Sequence, residues 1–146
     1  MFKNILIPTD GSEQSQRAVR AGIDLAKTHG AKITGIHVIP DYHLLIAYEG
    51  AFDPVTEERI EEEAKARAET YLAFIRRSAE EAGIACATVC ETSDHPYDAI
   101  LRTADSSACD LILMTSHGRK GLAAVLLGSE TRKVLTHAKV PVLVMR

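Results

Sequence analysis

Residues 111–131 read LILMTSHGRKGLAAVLLGSET, and the parsing of this run decides the fold. Its apolar opening, from Cys109 to Met114, reads as a buried strand. A loop follows with Gly118 and Gly121, then a small apolar turn, and Gly128-Ser129 opens a helix that reaches about His137. Glycines let the backbone come close to a ligand, and a helix start presents unpaired N–H groups at the positive end of a dipole. Ser129 adds a hydroxyl, while Arg119 and Lys120 bring positive charge to the loop. No Gly-Lys-Ser/Thr closes the run and no GxGxxG occurs, so it is neither a Walker A loop nor a dinucleotide fingerprint. The same glycines suit ordinary turns and an ordinary helix break. Spacing alone leaves a phosphate site and plain turns level.

Working outward, the flanking segments alternate. Phe2 to Pro8 is apolar after Asn4, as expected of a central parallel strand. Thr9-Asp10-Gly11-Ser12 turns into a helix with Ser12 at its N-cap and Gly30 at its stop. Ala31 to Ile39 is a second strand. Residues 40–55 (PDYHLLIAYEGAFDPV) form an unusually apolar connection, which suggests a lid or contact surface. A long helix follows over 56–82, with Ile60, Ala64, Ala68, Tyr71, Ile75, Ala79 and Ala82 as its apolar stripe and its Glu and Arg residues as a solvated face. Ile84 to Glu91 is a third strand. Ser93-Asp94-His95-Pro96 caps a third helix, and Val140 to Met145 is a fifth strand that Pro141 assigns to an edge. Strands alternating with helices imply an open parallel sheet covered on both faces. The ligand of such a sheet sits beyond the strand carboxyl ends, where strand order reverses. Asp10, at the end of the first strand, then faces the glycine loop, although it also suits helix capping.

The 146 residues predict a single domain over 1–146, able to bury about two-thirds of its unfolded surface. A formal net charge of −3 favours neither nucleic acid nor an anionic membrane as a partner. The N-terminal apolar run is too short for a signal peptide and no stretch spans a membrane, so a cytoplasmic protein is expected. Cys86, Cys90 and Cys109 lack metal spacing and read as small buried residues.

Together, KNILIPTDGS, His37-Val38, SHGRKG, LLGSET and HAKVPVLVM make the chain resemble the universal stress protein family over its whole length. The family's nucleotide-binding pattern is Gly, two residues, Gly, nine residues, then Gly-Ser/Thr. Gly118, nine residues and Gly128-Ser129 match it, while Thr115 stands in place of the first glycine. The resemblance implies a Rossmann-like α/β sheet of order 3-2-1-4-5, ATP as ligand, a divalent ion such as Mg, and a homodimer. It places Pro8, Thr9, Asp10 and Val38 at adenine and ribose, and Gly118, Arg119, Gly128, Ser129 and the Glu130 backbone around the phosphates. A β-branched Thr115 either crowds the ribose or offers it a hydroxyl. Glu130 repels a triphosphate unless it points outward or meets the metal.

The function expected is an adenine-nucleotide-binding dimeric module of the stress response, a sensor or switch with little hydrolysis. The alternatives are a ligand-free dimeric interaction module and a slow ATP hydrolase. His37 and His117 are acid–base candidates without an accompanying nucleophile or positioned carboxylate. The dimer is expected through Val140–Met145, an edge exposing Val142 and Val144.

Overall fold

A computed structural model describes residues 1–42, 54–117 and 127–146. The elements run β1 (Asn4–Pro8), α1 (Glu13–His29), β2 (Lys32–Ile39), α2 (Pro54–Glu81), β3 (Cys86–Thr92), α3 (Pro96–Ser106), β4 (Leu111–Thr115), α4 (Ser129–His137) and β5 (Val142–Met145). The strands form one parallel sheet in the order β3-β2-β1-β4-β5.

Alternate residues of the central strands feed two cores. Ile5, Ile7, Ile33, Leu111 and Leu113 pack under Val19 and Ile23 of α1 and Leu72, Ile75 and Ala79 of α2. Leu6, Ile36, Ile112 and Met114 pack under Ile100 and Ala104 of α3 and Val134 of α4. This is why the first strand shows no polar alternation: both its faces are covered. The polar exception is Asn4, fully buried yet satisfied. It accepts from the Thr34 hydroxyl at 3.0 Å and donates to the Ser107 carbonyl at 2.9 Å. Ser12 caps α1 by accepting from the Ser15 amide, and Gly30 ends it in the left-handed conformation, φ 64°. Among the described residues, no helix is long and apolar enough to cross a membrane.

Two sequence expectations change, and a third falls mostly outside the described residues. Cys109 is buried, but Cys86 is only half-buried and Cys90 is exposed, because β3 is a sheet edge. Desolvation, followed by the Glu69 charge, raises the Cys90 thiol pKa, so exposure does not make it a ready thiolate. At the other edge, Val142 packs into the α3–α4 core and both Val142 and Val144 are half-buried; the exposed apolar residue of β5 is Leu143, 45% accessible. The expected lid falls largely on 43–53, outside the described residues.

Candidate functional site

The carboxyl ends of β1, β2 and β4, the start of α4 and one flank of α2 border a cleft of about 880 Å³. It lies where β1 and β4 sit side by side and the chain's path across the sheet reverses.

Its floor is the turn after β1. Thr9 is buried, with its amide donating to the Ile36 carbonyl at 2.8 Å. Its hydroxyl accepts from the Gly11 amide and shares a 3.1 Å hydrogen bond with Ser15. Asp10 Oδ1 accepts from the Ser12 amide at 2.9 Å, so this carboxylate both shapes the turn and lines the cleft. Gly11 takes φ 76°, and a Cβ there would lie 2.2 Å from the Tyr71 ring. Glycine is required twice over, by backbone angle and by the ring across it. Tyr71 also meets His37 edge to face, with centroids 5.1 Å apart. His37 Nδ1 lies 2.7 Å from the Thr9 carbonyl, which can only accept, so that nitrogen carries the proton.

The opposite wall is the passage from β4 into α4. The Ser116 peptide organises it: its amide donates to Met145 and its carbonyl accepts from Gly128, both at 2.7 Å. The Thr131 hydroxyl donates to the Thr115 carbonyl at 2.9 Å. Gly128 is the N-cap of α4 and makes no side-chain cap bond, so no cap side chain covers the first-turn amides of Ser129, Glu130 and Thr131. These residues line the cleft, and the helix dipole adds positive potential there. The wall therefore suits an anionic group. Thr115 lines the cleft and donates its hydroxyl to the His117 carbonyl at 2.8 Å. Glu130 turns its carboxylate sideways: Oε2 accepts from the Tyr97 amide at 2.9 Å and Oε1 from Lys133 at 3.0 Å. Its side chain supplies the cap that the sequence assigned to Ser93–His95, for the actual N-cap residue, His95, makes no side-chain cap bond.

The third wall was missed by the sequence reading. Ala64, Arg67 and Tyr71 of α2 face the cleft, with Tyr42 and Ile39 beyond them. Ala64 and Tyr71 belonged to the helix's apolar stripe, and Arg67 lies beside it, where it read as solvated surface. Residue 67 follows 64 by three and precedes 71 by four, the spacing that puts all three on one face.

Of the residues singled out from sequence, Pro8, Thr9, Asp10, Val38, Thr115, Gly128, Ser129 and Glu130 all border this cleft. Gly118 and Arg119 lie in 118–126, outside the described residues. Among the described residues, no three His, Cys, Asp or Glu side chains gather into a metal-holding group.

The whole chain, residues 1–146, matches the Universal stress protein family. A universal stress protein of Thermus aquaticus is 33% identical over 149 residues, covering 100% of both chains. Among solved structures, the universal stress protein UspA from Lactobacillus plantarum superposes with TM-score 0.80 at 25% identity, covering 99% of this chain and 97% of that one. A family protein from Arabidopsis thaliana, solved with AMP bound, superposes with TM-score 0.70 at 19% identity, covering 98% and 90%. The whole-length match, the Thermus relative and the shared sheet order agree: the chain belongs to the universal stress protein family.

Proposed function

We propose that the cleft holds an adenine nucleotide and that the chain serves the stress response as a nucleotide-responsive homodimer. The observation that carries this reading is the first turn of α4, opened by the side-chain-free Gly128 toward a cleft whose floor is Asp10. Amides at a helix start are suited to phosphate. The half-buried Val38 and the Tyr71 ring supply apolar surface of the kind a base requires. The AMP-bound plant protein shows that this fold accommodates such a ligand. ATP is the form we assign, with Asp10 toward the ribose and Gly118, Arg119 and Ser129 toward the phosphates. Among the described residues, no group of three His, Cys, Asp or Glu side chains could hold a divalent ion. With neither nucleophile nor water-positioning group identified, hydrolysis is expected to be slow.

Heating the purified protein and identifying the released small molecule by mass spectrometry tests the reading directly. Calorimetric titration with AMP and ATP complements it. An adenine nucleotide, released or bound with micromolar affinity, is expected. The absence of both release and binding overturns the assignment and leaves the ligand-free module in its place.

A further inference from the structure

We propose that the Glu130 carboxylate is a fixed charge that works against the second and third phosphates of a metal-free nucleotide in the cleft. The inference rests on the adenine-nucleotide reading above and concerns the phosphate end of the same cleft.

The placement is specific. Glu130 is the second residue of α4, and it borders the cleft beside Ser129. Its carboxylate reaches the second residue of α3, accepting from the Tyr97 amide at 2.9 Å. Lys133 holds the other oxygen at 3.0 Å, and the same ammonium lies 5.2 Å from the Tyr97 ring centroid. The starts of both helices therefore share one carboxylate, and α3 also borders the cleft, through Pro96 and Ile100.

The charge balance follows. Each helix start carries about half a positive charge, so one carboxylate offsets about two of them. Lys133 returns part of that charge; its side chain is 47% accessible and that of Glu130 34%, so both are partly hydrated, and Arg67 brings a further cation to the cleft. The α4 amides can still hydrogen-bond one phosphate. Each further phosphate adds negative charge within reach of a carboxylate that its Tyr97 and Lys133 bonds hold in place. A like charge across a partly solvated site changes affinity by up to about tenfold. A magnesium ion on the triphosphate would cancel much of this repulsion, so the discrimination belongs to the metal-free ligand.

Glu130→Gln keeps an oxygen for the Tyr97 amide and removes the charge, while Glu130→Ala removes both. Affinities for AMP and for ATP in EDTA, measured by calorimetry on wild type and both variants, test the proposal. Both variants are expected to shift the AMP-to-ATP affinity ratio toward ATP by up to about tenfold, while only the alanine variant lowers the melting temperature. A ratio that stays within about twofold of wild type in both variants overturns the inference and leaves nucleotide binding intact. Repeating the titration with magnesium supplies a second refutation: weakened binding of the magnesium complex in both variants makes Glu130 a metal partner instead. Binding of neither nucleotide to any of the three proteins overturns this inference and the nucleotide reading together.

Discussion

A Cβ at Gly128 would come within 3.0 Å of the Ser116 carbonyl oxygen, so the residue is small because backbone approaches backbone there. The sequence suggested other reasons, close approach of the backbone to a ligand or an ordinary helix break. The consequence for Gly128→Val is wider than lost affinity: α4 must shift away from β4 to admit the side chain. Overpacking of this kind costs about 1–3 kcal/mol, or roughly 3 °C or more in melting temperature for a chain this size. Calorimetry is expected to show nucleotide binding weakened at least about tenfold, as the amide positions move. Asp110 stands just before β4, and its work comes from distant backbone that no local pattern encodes. Burial acts to raise its pKa, yet the amides of Asn4 and Lys3 donate to its carboxylate and hold the pKa below the usual value. A lowered folded pKa stabilises above the unfolded carboxyl value, about 3.9, and the gain is lost as pH falls through the folded one. Asp110→Ala is expected to cost roughly 1 kcal/mol near neutrality, discounted for solvent exposure, and to converge with wild type in strong acid. Urea titrations at pH 7 and pH 2 measure both ends of that window.

At the scale of elements, period and capping residues made the strands and helices legible, because local preference and tertiary packing agree in them. Where they part company, sequence was a poor guide. The cap of α3 comes from Glu130, 33 residues beyond its partner Tyr97, and no local motif encodes it. Arg67 looks like solvent-facing helix surface until the sheet is assembled beside it. Likewise, β5 was correctly placed at an edge by Pro141, while the side chain it leaves uncovered was not foreseen. Leu143 stands beside the fully buried Leu113 on the face where α1 packs against β1 and β4, one strand short of covering β5. An uncovered edge of this kind suits antiparallel pairing with a second copy about a two-fold axis. Leu143→Lys is therefore expected to shift a dimer to monomer at micromolar concentration, with the circular dichroism spectrum unchanged. Light scattering decides it, and a wild type that is already monomeric refutes the pairing.

For the whole molecule, saturation with a nucleotide at about 100 times its dissociation constant is expected to stabilise the native state by about 2.7 kcal/mol. A melting temperature unmoved by AMP or ATP at that excess contradicts the assigned ligand. Turnover is expected below about one phosphate per second, the low end of ordinary enzyme rates, in a steady-state release assay with magnesium. The Ser116 peptide joins the two halves of this account: its carbonyl holds Gly128 at the cleft, and its amide holds Met145, the last residue of the edge strand. The cleft and the open sheet edge are thus joined through the backbone of a single residue. Any shift of that peptide on binding is felt by both, and the resulting coupling is thermodynamically reciprocal. Whatever factor the nucleotide applies to self-association, self-association must return to nucleotide affinity across the two sites of the dimer. The protein would then read its own abundance along with the nucleotide level: affinity measured above and below the dimer dissociation constant would differ, and because each dimer holds two nucleotides, the dimerisation constants measured with and without ligand would differ by the square of that factor.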